Sequence, residues 1–195
     1  SVVISDSDIR RPAGQIYEQA NGIVKFEPTK KLDFELEMGT VIGGSLPIGK
    51  ILDFEGAENL IFGYVLLNDW SARDVQAWEY QPLGPFLSKS FGTSISPWIV
   101  SPEALEPFKT TPPERDFQLP PHFEDDKAFV FDIELKATLI EDDGTETDIV
   151  ETNAKELYYS PVQQLIHHAS AGCGISTGDL MLSLIHISEP TRRVR

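Results

Sequence analysis

The chain has 195 residues and a formal net charge of −15, from 31 acidic and 16 basic side chains. This acidic balance argues against nucleic acid and anionic membrane surfaces as partners, because phosphates and acidic lipids repel such a surface. Hydrophobic residues make up 41% of the chain, enough for a substantial core, but no apolar run approaches the ~20 residues of a membrane-spanning helix. Cys173 is the single cysteine, so an intramolecular disulfide framework is excluded and we expect a cytoplasmic location.

Three strand patterns occur early in the chain. Ser1–Ser5 is a short run of strand-forming residues, and it is separated by the turn-rich segment Arg10–Gln15 from Lys31–Met38, which alternates between apolar and polar residues. Gly63–Leu67 is an apolar run typical of a buried strand, and Asp69 follows it closely. Because strand side chains alternate with a period of two, one face of Lys31–Met38 carries only acids: Asp33, Glu35 and Glu37.

A short helix is predicted after Asp69. Ser71 is a residue type favoured at an N-cap, and Asp74, three residues later, can complete a capping box. Pro82–Pro85 ends the helix, since proline cannot continue the hydrogen-bond ladder. The helix places three polar side chains on one face, at spacings of three and four: Arg73, Gln76 and Tyr80.

The second half of the chain begins with strands. Ser94–Val100 predicts an edge or irregular strand because it contains a proline, and Pro107–His122 predicts a surface loop. Ala128–Ile140 is the strongest strand pattern of the chain. The turn Asp142–Gly144 then leads into a second strand, Thr145–Val150, which completes a hairpin.

A longer helix begins at Ser160, because serine is a favoured N-cap and the proline after it suits the first helical position. Gly172 ends this helix. Its apolar face consists of Val162, Leu165, Ile166 and Ala169. The elements together predict a β-rich α+β fold, because no alternation of strand and helix indicates a doubly wound sheet.

The early acids allow two interpretations. Glu35 and Glu37 repel each other unless a proton or cation lies between them, and an all-oxygen ligand set suits Mg²⁺ or Ca²⁺. The other interpretation is a solvated strand face. Asp69 ends an apolar run, where a buried charge needs a partner. Either a metal shared with the glutamates or Arg73, four residues later, would supply that partner.

Other reactive residue types have weaker support. Lys89 follows an apolar segment and would either stabilise an enolate or lie at the surface with its stem on apolar residues. His167 and His168 are adjacent on a helix and face different directions, so we interpret them as structural. Cys173 has no neighbouring base and is predicted to be a small buried residue, and His122 lies in the predicted loop.

Longer motifs resemble the fumarylacetoacetase family. These are LDFELEM, NDWSARD and PLGPFLSKSFGTSISPW around the acids, with Gln76 and Trp78-Glu79-Tyr80 between them. RRPAGQ near the start and QQLIHH and GCGISTGDL near the end fit the same family, so the resemblance covers residues 1–181. It implies the family's mixed β-sandwich roll, here incomplete, and a homodimer.

The resemblance also implies a reaction. The family hydrolyses a C–C bond of the diketo acid 4-fumarylacetoacetate, giving fumarate and acetoacetate in tyrosine and phenylalanine breakdown, with Mg²⁺, Ca²⁺ or both as cofactor. Arg73, Gln76 and Lys89 match catalytic residues, and Gln76 and Tyr80 match substrate contacts. The family's metal ligands and cation region are matched by Glu35, Glu37, Asp69, Lys89 and Thr93.

The family pattern extends beyond both ends of residues 1–181, which we interpret as a partial catalytic domain. It places a further metal acid and the water-activating histidine upstream, and that histidine's glutamate partner and a substrate-contacting threonine downstream. We therefore expect this chain alone to be inactive and poorly soluble, with unpaired strand edges. Leu182–Arg195 begins with LSLIHISEPTR, which resembles a translated sequencing-library adapter, and we interpret these residues as an artefactual tail rather than a genuine basic C-terminus.

Two other functions fit the same residues. A related enzyme of the acylpyruvase or oxaloacetate decarboxylase type shares the Glu-x-Glu pattern and the acid that precedes Arg-Asp. A non-catalytic acidic β module would need neither a metal nor a substrate, because its carboxylates would be solvated.

Overall fold

Strands dominate the computed structural model of the chain, which describes residues 1–123 and 127–187, the last four by their backbone alone. The predicted β-rich α+β class is confirmed. The strands are β1 (Val2–Ile4), β2 (Ala13–Glu18), β3 (Ile23–Pro28), β4 (Leu32–Asp33), β5 (Glu35–Ile42), β6 (Ile61–Asp69), β7 (Ser71–Ala72), β8 (Thr93–Ile95), β9 (Lys109–Thr110), β10 (Val130–Phe131), β11 (Glu134–Ile140), β12 (Glu146–Asn153) and β13 (Leu180–Ile187). The helices are α1 (Phe54–Glu58), α2 (Arg73–Glu79), α3 (Leu87–Ser90), α4 (Pro102–Leu105) and α5 (Pro161–Ala169).

The largest described sheet has five strands in the order β1-β8-β6-β5-β13. β1 runs parallel to β8, and β6 runs antiparallel to β8 with Asp69 opposite Thr93. The other described sheets are pairs: β2 with β3, β4 with β7, β9 with β10, and β11 with β12.

The chain divides into two compact units. The first consists of Ser1–Glu37 and Leu66–Pro97, together with the last described residues of β13. The second consists of Met38–Val65 and Trp98–Ile185. The predicted site residues all belong to the first unit, so this unit positions the site.

Helix α5 of the second unit forms as predicted. Ser160 Oγ accepts the N–H of Gln163 at 3.0 Å and the Gln163 side chain accepts the N–H of Ser160 at 3.0 Å, which completes a reciprocal capping box. Gly172, just beyond the helix, has a φ of +80°, a left-handed conformation that favours glycine. The predicted apolar face is buried, with no side chain more than 4% exposed: Val162, Leu165, Ile166 and Ala169.

Two predicted strands are each broken into two. Lys31–Met38 divides into β4 and β5 at Phe34, whose N–H donates to the carboxylate of the preceding residue at 2.9 Å. Ala128–Ile140 divides into β10 and β11 near Ile133, whose N–H donates to Asn153 Oδ1 at 3.1 Å. In both places a polar side chain takes a backbone N–H group, and hydrophobic alternation does not reveal such bonds.

Three further local predictions are wrong in whole or in part. Ser71 does not cap α2, because its Oγ donates to the carbonyl of Asp69 at 3.3 Å and the N-cap residue is Ala72, which makes no side-chain cap. Of the two alternatives for Ser94–Val100, the edge strand is wrong, since β8 lies between β1 and β6. The irregular strand is confirmed, since β8 ends before the proline and Val100 makes only an isolated bridge with Tyr64. Strand β2 begins at Ala13, inside the segment predicted to be a turn-rich connection, because its residues pair with β3.

The predicted hairpin is confirmed as β11 and β12, and the turn between them contains Gly144 at a φ of +84°. The predicted loop Pro107–His122 contains the short strand β9. The backbone continues in β13 through Ile187, and residues 188–195 of the predicted tail lie outside the described residues, so the origin of the tail stays a prediction. No helix in the described part of the chain is long and apolar enough to span a membrane.

Candidate metal centre and active site

Three carboxylates of the first unit converge, and we call Glu35, Glu37 and Asp69 the carboxylate cluster. Each offers one oxygen atom, and these atoms all lie within 4.8 Å of one another. Glu35 and Glu37 are two residues apart on β5 and project from the same face, and Asp69 ends the neighbouring strand β6. Glu35 is 6% and Glu37 is 3% exposed, so the solvated strand face considered above is wrong.

Two basic side chains lie against the carboxylate cluster. Arg73, the first residue of α2, places Nη2 2.9 Å from Glu35 Oε1 and donates through Nε to Asp33 Oδ2 at 2.7 Å. Lys89 of α3 donates through Nζ to Glu35 Oε2 and to Asp69 Oδ2, the latter at 2.9 Å. Glu35 is therefore paired with two basic side chains, and the basic partner of Asp69 is Lys89 rather than Arg73.

Among the described residues, Glu37 differs from the other two acids because no basic side chain forms an ion pair with it. Its Oε2 is buried and has no hydrogen-bond partner in that part of the chain. Burial and the negative charges of Asp69 and Glu35 raise the pKa of Glu37 to about 8, and the nearby Lys89 offsets only part of this effect. The side chain of Glu37 is therefore mainly protonated at neutral pH unless a cation replaces the proton.

The donor set fits one divalent cation. With Asp33 and the carboxylate cluster all ionised, four negative charges face the two positive charges of Arg73 and Lys89, and one divalent cation would balance the difference. Oxygen ligands ~2.3–2.6 Å from Ca²⁺ lie at most about 5 Å apart, and those ~2.0–2.1 Å from Mg²⁺ at most about 4 Å apart. The oxygens of the carboxylate cluster lie within 4.8 Å of one another, which satisfies the limit for Ca²⁺ as they stand.

The other predicted site residues lie on adjoining elements. Thr93 Oγ1 donates to Asp69 Oδ1 at 3.3 Å, as their opposite positions in β8 and β6 allow. Gln76 Oε1 accepts a hydrogen bond from Arg73 Nη1 at 2.9 Å. Tyr80 is the C-cap residue of α2 and is 47% exposed, and its contact with a substrate stays a prediction.

Two residues that hold the basic side chains of Arg73 and Lys89 in place were missed from the sequence. Asp33 shares the acidic strand face with the glutamates, and its carboxylate binds Arg73. The alternation of apolar and polar residues had placed Asp33 on this face, but we assigned Asp33 no role. Glu79 accepts backbone N–H groups at the start of α3, the helix that carries Lys89. No sequence pattern indicates that contact, because it depends on how the intervening loop folds.

The histidines of the predicted helix and loop and the single cysteine belong to the second unit. His167 and His168 are exposed on α5, and the His167 ring packs 5.4 Å from the Phe123 ring. Cys173 is exposed, so its predicted burial is wrong; the chain turns at Gly172 and leaves the thiol at the surface. The two long segments that form the first unit contain no histidine.

Comparison with known proteins identifies the family. A sequence profile described as "Fumarylacetoacetate (FAA) hydrolase C-terminal" matches residues 1–183, so the chain belongs to that family. The chain is 48% identical over 182 residues to a fumarylacetoacetase of Arabidopsis thaliana, covering 93% of this chain and 43% of that protein. It is 46% identical over 194 residues to a fumarylacetoacetase of Dictyostelium discoideum, covering 98% of this chain and 45% of that protein. The chain thus spans less than half the length of these curated relatives.

A solved structure shares the fold. The 5-carboxymethyl-2-hydroxymuconate delta-isomerase of Mycobacterium smegmatis matches with a TM-score of 0.52 at 18% identity, covering 93% of this chain and 65% of that one. At this identity the likeness shows the fold alone. The predicted family and the predicted strand-rich fold are therefore both confirmed.

Proposed function

We propose that this chain supplies the cation site and part of the substrate site of a fumarylacetoacetase-type hydrolase. The reaction is hydrolytic cleavage of the C–C bond of 4-fumarylacetoacetate to fumarate and acetoacetate, in tyrosine and phenylalanine catabolism. The observation that carries the proposal is the buried carboxylate cluster beside Arg73 and Lys89, in a chain 48% identical to a fumarylacetoacetase.

The carboxylate cluster would hold a hard divalent cation, Mg²⁺ or Ca²⁺, because all of its donor atoms are oxygens. When bound, such a cation acts as a Lewis acid that polarises a carbonyl oxygen of the substrate. Lys89 cannot be a ligand, since an ammonium group has no free lone pair. Its hydrogen bonds instead orient Glu35 and Asp69, and Thr93 orients Asp69 from the opposite strand.

Arg73 and Gln76 are suited to bind an anionic diketo acid. The hydrogen bond from Arg73 Nη1 to Gln76 Oε1 holds both side chains and leaves the Nε2 amide of Gln76 as a donor for a substrate oxygen. Because the chain has a net charge of −15, attraction of an anionic substrate depends on local cations. Lys89, which lies beside the carboxylate cluster, would stabilise the negative charge that develops as the C–C bond breaks.

We assign no general base among the described residues of the first unit. We therefore expect the 195-residue chain to bind the cation without hydrolysing the substrate. We extend the proposal to a cytoplasmic homodimer, supported by the family resemblance and the single cysteine. Light scattering after size-exclusion chromatography tests the oligomeric state.

Isothermal titration calorimetry with Mg²⁺ and Ca²⁺ near pH 8.5, where Glu37 is ionised, tests the cation site. We expect one cation per chain and a loss of affinity of tenfold or more in Glu35→Gln, about the size that even outer-shell changes cause. Glu134→Gln, on an exposed position of β11, is the matched control. Absence of binding, or equal binding by Glu35→Gln, would favour a non-catalytic acidic module.

The substrate is tested on an enzyme of full family length that contains this segment. Loss of absorbance with 4-fumarylacetoacetate, abolished by Arg73→Ala, is the expected result. Faster turnover of an acylpyruvate or of oxaloacetate would instead assign the segment to the related enzymes.

A further inference from the structure

Helix α3, which carries Lys89, is weakly held by its own residues. Phe86, which precedes the helix, makes no side-chain cap, and Ser88 is the buried residue of α3. Phe86 is 55% and Leu87 is 62% exposed, so apolar packing does little to fix the helix. A helix of four residues is not stable by itself, because nucleation costs more than its few hydrogen bonds return.

The carboxylate of Glu79, at the end of α2, supplies the missing cap. Its Oε1 accepts the N–H of Phe86 at 2.8 Å, the N–H of Ser88 at 2.9 Å and the hydroxyl of Ser88 at 2.6 Å. Its Oε2 accepts the N–H of Leu87 at 3.2 Å. These N–H groups are the ones that a helix start leaves without intrahelical acceptors, and a negative charge is favourable there.

The charge of Glu79 agrees with this arrangement. Partial burial opposes ionisation, but the hydrogen bonds from Ser88, Phe86 and Leu87 outweigh it and lower the pKa of Glu79. The side chain is therefore an anion at neutral pH, and its bonds to α3 are of the stronger, charge-assisted kind.

We propose that Glu79 is a positioning residue, which holds the Lys89 ammonium against Glu35 and Asp69 by capping α3 from α2. Both basic side chains of the site then depend on α2, since Arg73 is its first residue and Glu79, which holds Lys89 through α3, is its last. The importance of this arrangement for catalysis rests on the proposed function.

Acetylation of Lys89 by a small amine-reactive reagent, measured residue by residue by mass spectrometry, tests the proposal. The full chain is used without metal, fused to a solubility-enhancing protein. The Lys89 side chain is 19% exposed and paired with two acids, so it should react slowly. Glu79→Ala should raise its acetylation rate about tenfold through loss of charged hydrogen bonds. Glu79→Gln should raise it about threefold or less, because Oε1, which accepts most of the bonds, is retained.

The matched control is Glu103→Ala, since Glu103 is an acid in the first turn of α4, another four-residue helix. It should leave Lys89 unchanged. Hydrogen exchange of β6 and β8 amides reports whether the surrounding sheet is intact. If Glu79→Ala does not fold, Ser88→Ala removes one bond to Glu79 and should raise Lys89 acetylation about threefold.

Unchanged acetylation of Lys89 in Glu79→Ala would overturn the proposal. A rise accompanied by loss of protection in β8 would also overturn it, because Glu79 would then stabilise the sheet rather than position Lys89. The measurement involves neither cation nor substrate, so its outcome is independent of the calorimetry and activity tests of the proposed function.

Discussion

The carboxylate cluster and helix α5 both bury side chains, but different interactions hold them. Helix α5 buries four apolar side chains and is capped by its own residues Ser160 and Gln163. The carboxylate cluster buries Glu35 and Glu37, and two basic side chains from separate helices lie against it. Helix α5 is capped by neighbouring residues and held by apolar packing, whereas the carboxylate cluster depends on counter-charges that two other elements supply.

Burial therefore has opposite energetic consequences in the two regions. Burying apolar surface contributes roughly 25 cal/mol per Å² to stability. Burying a carboxylate costs free energy unless a cation, a proton or hydrogen bonds compensate. Helix α5 should respond to lost volume and the carboxylate cluster to changed charge.

We expect the largest loss of stability from Leu165→Ala in α5. Leu165 is 0% exposed, so the substitution leaves a cavity and should lower the free energy of unfolding by about 2–5 kcal/mol. Urea unfolding followed by circular dichroism measures this change. Leu139→Ala, where the side chain is 49% exposed, is the control and should change stability by less than about 0.5 kcal/mol. Equal effects at the two positions would show that α5 does not form the core described here.

Arg73→Met should destabilise the chain by about 3 kcal/mol, because Asp33 and Glu35 each lose the ion pair with Arg73 and Glu35 keeps only that with Lys89. Arg73→Lys keeps the charge but loses the planar fork that contacts both acids, so its effect should be intermediate. Urea unfolding at pH 7 measures both variants. A neutral Arg73→Met would contradict the dependence of the carboxylate cluster on counter-charge.

The pH dependence of stability should reveal the raised pKa of Glu37. Its pKa is raised from 4.5 to about 8, so the folded state keeps a proton that the unfolded chain releases. The stability from this proton is present below about pH 4.5 and is lost as pH rises toward 8. Without divalent cations, wild type should lose about 1.4 kcal/mol per pH unit relative to Glu37→Gln near pH 6–7. Saturating Mg²⁺ should reduce this slope, and parallel pH profiles without metal would rule out the raised pKa.

The smallest of these effects is expected from Ser160→Ala, which removes the N-cap of α5 and should cost about 1 kcal/mol. Because the cap is local, this cost should not change with pH near neutrality, unlike that of the Glu37 substitution. Ser170→Ala, at the exposed C-cap of the same helix, is the control. Urea unfolding at pH 6 and pH 8 measures the free energy of unfolding of both variants. Ser160→Ala should lower it by the same amount at both pH values, and Ser170→Ala should lower it less.

Local patterns predicted the elements whose causes are local. The cap and apolar spacing of α5 and the glycine turn of the β11–β12 hairpin lie within a few residues, and both were predicted correctly. The breaks at Phe34 and Ile133 were missed, because one polar side chain in each case takes a backbone N–H group from the strand ladder. Ser71 was misassigned because α2 begins one residue later than predicted, so Ala72 is the N-cap residue and the Ser71 hydroxyl donates to the carbonyl of Asp69.

The sequence by itself determined the family, the β-rich class, and the placement of Glu35 and Glu37 on one strand face, since alternation and motifs are properties of neighbouring residues. Only the tertiary structure decided that Lys89 pairs with Glu35, 54 residues away, and that no basic side chain of residues 1–123 and 127–183 pairs with Glu37. Such pairings depend on which strands and helices meet, and burial then sets their strength. For this reason the candidate metal ligands could be predicted from the sequence. The balance of charges around them, which favours a divalent cation, could not be predicted in this way.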